Sequence, residues 1–358
     1  MAQTPQSLKE EQRRSANYHP TIWDPSAIKS FSTPYTYELY GTQLEDWKQK
    51  ARKLLASTKG TVATLKLIDS LKRLGVAYHF QDQIQQALDQ LNVVSDDLST
   101  VALHFRLLRD NCYPVTADVF EKFKGGDGKF MDSISGNVEE LLSLYEASFM
   151  AIPGELILEE VKGFCNQSLK ILLGKMDQVE RSLEVPLYWR MERIEARNFI
   201  DSYAVDDSKS SVLLDLAKLN YNLIQSAYQK ELKELAEWWR ELNFKEKLSF
   251  SRDRLMEIYF WATGLSFEPQ YAKSRICSTK YACLATVVDD IYGSLDELES
   301  FTKAVTGWDM KAVEELPGYM RAMFSAMSDF TNELAQQTMA WTFCPTSKNS
   351  GLYYAEHI

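Results

Sequence analysis

Residues 271–292 read YAKSRICSTKYACLATVVDDIY. No apolar–polar alternation of useful length runs through them, and neither Gly nor Pro interrupts them, so they predict a helix rather than a strand. The apolar run ACLATVV closes on two adjacent acids, Asp289 and Asp290. Two neighbouring carboxylates at the end of a buried-type helix repel each other and lose solvation. A divalent cation offsets both costs: Mg²⁺ is a hard ion that takes one or two carboxylates together with phosphate oxygens and waters. The plainer reading leaves both acids solvated where the helix stops. These residues alone leave the two readings open, because exposed acids are far commoner than metal sites.

Upstream lies Arg252–Asp253–Arg254, within SFSRDRLMEIYFWATG. Guanidinium forks match phosphate oxygens and keep their charge at any relevant pH, so the pair suits a diphosphate. A salt-bridged helix start is the competing reading. Aromatic residues crowd the same region: Trp238, Trp239, Tyr259, Phe260, Trp261, Phe267, Tyr271, Tyr281 and Tyr292. Their π faces and bulk would suit a dry cavity that shelters a carbocation. For most of them ordinary core packing is an equally good account.

The whole chain follows the helical pattern. Its 15 glycines and 10 prolines in 358 residues are about 7%, against an average near 12%. ARKLLASTKGTVATLKLIDSLKRLGVAYHF sets Leu65, Ile68, Leu71 and Leu74 on one face, with Gly75 as a stop signal. LSTVALHFRLLRD predicts a helix ended at Cys112–Tyr113–Pro114. TADVFEKFKGGDGKF reads as a helix capped by Thr116 that runs into a turn at Gly125–Gly126–Asp127–Gly128. VEELLSLYEASFM and the long SVLLDLAKLNYNLIQSAYQKELKELAEWWRELNF continue the pattern. Residues 1–35 hold Pro20, Pro25 and Pro34 and read as an extended arm. No fixed-period repeat suggests a solenoid. The fold class predicted is all-α, with an arm (1–35), an N-terminal helical domain (36–180), a C-terminal domain (181–337) and an aberrant tail (338–358).

A formal net charge of −10 and a pI near 5.1 argue against general nucleic-acid binding, which needs a basic face. No window is long and apolar enough for a membrane span. Five scattered cysteines without a C-x-x-C pair read as reduced thiols, and four scattered histidines make a zinc site improbable. The opening MAQTPQSLKEEQRR has no apolar core and predicts no secretory signal. The expected location is cytoplasmic as written, or the plastid if a longer leader precedes it.

RRSANYHPTIW (residues 13–23), FRLLRDNCYPVTADVFEKFK, LLSLYEASF, RIEARNFID, LAKLNYNLIQSAYQKELKELAEWW, FSRDRLME, FEPQY, VVDDIY and GSLDELESFTKAVTGWD follow one another in order. In these collinear stretches the chain resembles the plant class I terpene synthases, of the monoterpene-type branch with the tandem-arginine and tryptophan motif. The resemblance implies an N-terminal α-barrel-like domain and an incomplete C-terminal class I terpenoid synthase fold. It implies Mg²⁺, with Mn²⁺ as a substitute, held by Asp289 and Asp290. It implies a monomer acting on geranyl or farnesyl diphosphate, with Arg252, Arg254, Trp261 and Asp289 as substrate contacts. Arg252 and Arg254 would hold the leaving diphosphate at the mouth of an aromatic-lined cavity. Arg13 and Arg14 would belong to an arm that closes over it. The wording of the sequence is similar to enzymes making acyclic products such as ocimene or farnesene.

Two departures stand against that resemblance. The family's metal motif has a third aspartate four positions after the first, where this chain has Gly293; the next acid, Asp296, lies about 10 Å along a helix from Asp289. The family's second metal triad has no counterpart after Gln337, and MAWTFCPTSKNSGLYYAEHI resembles nothing in it. Low turnover, or a non-catalytic helical remnant, is the expectation that follows.

Overall fold

The computed structural model describes residues 18–342 apart from 92, 175, 293, 294 and 309, with the side chains of 25, 132, 295–298, 310 and 338–342 not described. Helix dominates throughout and no strand occurs among the described residues; an isolated antiparallel bridge pairs Lys124 with Phe130. The all-α expectation holds.

The helices begin where short polar side chains can take up the first free N–H groups. Within the supposedly extended arm, Pro25–Ser30 is helical (α1), because Asp24 accepts the Ser26 N–H at 2.9 Å and Pro25 has the φ a first helical turn needs. α2 (Tyr37–Ser57) starts on Thr36, whose hydroxyl accepts from Leu39 N. α3 (Thr61–Arg73) buries Leu65, Ile68 and Leu71, the face predicted from spacing. It ends at Gly75, whose φ of +68° only glycine takes without cost. Gly75 N bonds to Lys72 O and Val76 N to Leu71 O, the paired closure that satisfies a helix's last carbonyls. α4 (Gln81–Gln90) follows, then α5 (Leu98–Asp110), capped by Asp97 on Thr100 N at 2.9 Å.

The segment expected to be a capped helix after Thr116 differs. Ala117–Phe123 is a 3₁₀ helix, and the Thr116 side chain makes no cap bond. Ala117, Phe120 and Phe123 are all buried, and a three-residue repeat eclipses on the tighter helix, so the 3₁₀ form keeps them on one face. The predicted glycine turn is present, closed by Gly125 N on Lys129 O at 2.7 Å.

α6 (Val138–Ser148) is capped by Asn137; α7 (Leu156–Lys170), α8 (Asp177–Glu184) and α9 (Glu192–Ala204) complete the first half. α10 (Ser211–Leu242) is the longest helix. Beyond it come α11 (Phe244–Lys247), α12 (Leu255–Leu265), α13 (Ala272–Ile291), α14 (Leu295–Gly307), α15 (Met310–Glu314) and α16 (Gly318–Thr342).

The chain forms two compact units, residues 35–224 and residues 1–34 with 225–358. The division between these units falls inside α10. Ile200 and Tyr203 of α9 and Leu213, Leu216, Leu219 and Leu223 of α10 share one apolar cluster with α3 and α4, which draws these helices into the 35–224 unit. Polar contacts reinforce them: buried Asn220 bonds Tyr78 Oη, a His79 ring nitrogen and the Gly75 carbonyl. Glu195 pairs with both Arg73 and Arg190. In the other unit the core joins Phe244 and Leu248 to Leu284, Val287 and Ile291 of α13 and to Met320, Met323 and Phe324 of α16.

Candidate active site

Asp289 and Asp290 occupy the last turn of α13. Helix carbonyls concentrate partial negative charge at that end, so two further carboxylates there are disfavoured unless water or a cation offsets their charge. The structure supplies a cation for Asp290. Asp290 Oδ2 accepts the backbone N–H of Arg252 at 2.7 Å, and Oδ1 accepts its Nε at 2.9 Å. The pair is largely shielded, with the Arg252 and Asp290 side chains 23% and 10% exposed. The Tyr18 ring lies over the guanidinium at 4.3 Å. The hydrogen bond to Asp290 comes first among the causes that hold the Arg252 guanidinium above its ordinary, already high, pKa. Asp289 is exposed, and no hydrogen bond holds its carboxylate among the described residues.

Arg254 stands just before α12 and spends its donors on carbonyls: Nη1 on Asp253 O at 2.8 Å and Nη2 on His19 O. Residues 18 and 19, at the end of the expected arm, thus meet both arginines. One end of α13 and the turn before α12 bring Arg252 onto Asp290, while Arg254 bonds to carbonyls instead. Trp261, on α12, is 55% exposed, and Phe260 beside it 51%. Tyr281 is also exposed, whereas Tyr259 is buried. Arg13, Arg14, Gly293, the Asp296 side chain and the tail from residue 343 lie outside the described residues.

A buried network between α10 and α13 escaped the sequence reading. Arg275 is completely buried; its Nε and Nη2 donate to the two oxygens of Glu231 at 2.9 and 2.7 Å. Its Nη1 donates to Ser266 O and Glu268 O, clamping the loop that carries FEPQY. Tyr259 Oη donates to Glu231 at 2.9 Å, and burial beside that carboxylate pushes the phenol pKa well up. The available signal was positional: Glu231 sits three residues after Tyr228 and four before Leu235, on an apolar face.

A family model described as the terpene synthase N-terminal domain matches residues 22–186, and one described as the terpene synthase family metal binding domain matches residues 240–348. The chain belongs to the terpene synthase family. This family member is 51% identical over 353 residues to probable terpene synthase 9 of Ricinus communis, across 95% of the chain and 59% of that relative. It is 47% identical to the chloroplastic trans-ocimene synthase of Litsea cubeba, across 93% and 60%. A limonene synthase solved with 2-fluorolinalyl diphosphate superposes with a TM-score of 0.86 at 36% identity, across 92% of this chain and 64% of that one. Isoprene synthase of Populus x canescens, solved with three Mg²⁺ ions and dimethylallyl-S-thiolodiphosphate, gives 0.81 at 37%, across 90% and 63%. The chain spans about 60% of the length of the curated relatives it matches.

The donor chemistry of the acid pair suits a hard divalent cation, which needs few protein carboxylates. Asp289 is exposed, while the oxygens of Asp290 are engaged by Arg252. Among the described residues no group of three His, Cys, Asp or Glu side chains is placed to hold a metal ion. No described helix is long and apolar enough to cross a membrane.

Proposed function

We propose that this chain is the ionising part of a plant monoterpene-type synthase, a diphosphate lyase acting on geranyl diphosphate, with farnesyl diphosphate as the longer alternative. The observation that carries the reading is the contact between Asp290 at the end of α13 and Arg252 before α12. The acid assigned to the metal in this reading and the guanidinium assigned to the phosphate are there within one hydrogen bond of each other.

Asp289 and Asp290 would hold Mg²⁺, or Mn²⁺ in its place. When bound, the ion supplies positive charge that stabilises the departing diphosphate. Arg252 and Arg254 are the forks for the leaving group, and Asp289 meets substrate through the metal. Trp261 is the aromatic partner offered to the prenyl chain, and Arg13 and Arg14 belong to the closing arm. The trans-ocimene synthase relative supports an acyclic product, and the chloroplastic relatives support a plastid location. A monomer acting without nucleic acid completes the reading.

The test is gas chromatography of volatiles after purified protein is incubated with each diphosphate and Mg²⁺. Metal-dependent product, abolished in Asp289→Asn and Asp290→Asn, is expected. Its rate should be low beside an intact relative, because Gly293 leaves one carboxylate fewer beside Asp289. No product with either substrate and either metal leaves the second reading, a helical protein without turnover.

A further inference from the structure

The acid expected to face a metal ion already faces a cation belonging to the chain. Arg252 reaches Asp290 twice, through its backbone N–H and through Nε, and Tyr18 covers the guanidinium. This shielding makes the pair stronger than an ordinary surface ion pair, which water and salt weaken. Arg254, two residues on, bonds carbonyls only, and Asp289 is exposed. The two arginines and the two acids are therefore not equivalent: one of each is locked to the other, and one of each is not.

We propose that Arg252 is an internal counter-ion that competes with the divalent cation for Asp290, so that metal and diphosphate binding are coupled through the exchange. A cation settling on the acid pair releases the guanidinium, which can then fork onto phosphate oxygens. Conversely, a diphosphate that draws Arg252 away frees Asp290 for the metal. The coupling must be equal in both directions, since each ligand removes the same intramolecular competitor. This proposal rests on the assignment of the site made above. It adds a reason why neither ligand alone should bind well.

Each half is testable with one ligand at a time on the purified full chain. Mn²⁺ alone, followed by electron paramagnetic resonance of the free ion, should bind Arg252→Gln about tenfold more tightly than the native chain. Arg254→Gln removes the same charge without touching Asp290, and should change the affinity less than about threefold. Inorganic pyrophosphate with EDTA, followed by calorimetry, should bind Asp290→Asn about tenfold more tightly, and Asp289→Asn much less so. Circular dichroism checks each fold. If Arg252→Gln does not fold, Arg252→Lys keeps the charge without the fork and is expected to tighten Mn²⁺ binding in the same direction. Equal effects of the two arginine variants would reduce the result to general charge repulsion and overturn the exchange. Unchanged Mn²⁺ affinity in Arg252→Gln would do the same. Failure of Mn²⁺ to bind any of the proteins would instead overturn the site assignment, and the exchange with it.

Discussion

Arg275 and Glu231 form a buried ion pair with two parallel hydrogen bonds, the arginine fully buried and the Glu231 side chain 7% exposed. The pair joins α10 to α13 and, through Nη1, holds the Ser266 and Glu268 carbonyls. The guanidinium's hydrogen bonds go to the Glu231 carboxylate and to those two carbonyls, and the Tyr228 ring flanks its face at 5.0 Å.

Removing one partner of such a pair strands the other charge away from water. Glu231→Gln is expected to cost about 3–5 kcal/mol of stability. Replacing both residues by apolar ones of similar volume should cost much less than either single change. Urea denaturation of the three variants checks this; a double variant no better than the singles would contradict it.

Gly75→Ala should destabilise the 35–224 unit by about 2–4 kcal/mol. Its φ of +68° strains any side chain, and an added Cβ would stand 2.9 Å from the Ala196 Cβ on α9. Gly41, where an added Cβ meets nothing within 4 Å, is the control. There alanine should be neutral or slightly stabilising, because it favours the helix. Thermal unfolding of the two variants separates the cases.

Burial pushes His79 down to about 4, against its hydrogen bond to Asn220, which acts in the opposite direction. Between about pH 6.5 and 4 the unfolded chain takes up a proton that native His79 does not, so stability falls as pH drops through that window. The loss from this group approaches about 3 kcal/mol near pH 4 and vanishes above pH 7. His79→Gln retains an amide donor and cannot titrate. Urea midpoints at pH 7 and pH 5 should therefore fall less in the variant than in the native chain. Equal falls would show that His79 is not the group responsible.

The two acids at the end of α13 should behave differently without any ligand. Asp290→Asn weakens two charge-assisted hydrogen bonds and is expected to cost about 1–3 kcal/mol. Asp289→Asn should change stability by no more than about 0.5 kcal/mol, and in the favourable direction, since it removes an exposed charge from the negative end of a helix. Chemical denaturation in metal-free buffer is the measurement. Comparable losses in both would contradict the asymmetry.

Much of the fold was legible in the residues themselves. The face of Leu65, Ile68 and Leu71, the Gly75 stop, the helix over 98–110 and the acid pair closing α13 all follow from local spacing and capping. Helix hydrogen bonds join residues four apart, so a short window contains the physics that sets them. The segment after Thr116 was not legible in this way: its repeat of Ala117, Phe120 and Phe123 forms a 3₁₀ helix, while the same spacing at Leu65, Ile68 and Leu71 forms an α-helix.

The sequence by itself determined the helical class, the main helix ends and the family. Which charge meets which was decided only in three dimensions. The spacing between Arg252 and Asp290 says nothing of a bond between them, nor does that between Glu231 and Arg275, or between Gly75 and Asn220. Those partners are chosen by packing. Once apolar faces close over a polar group it must find a partner or stay in water, and the partner available depends on which helices the core has brought together.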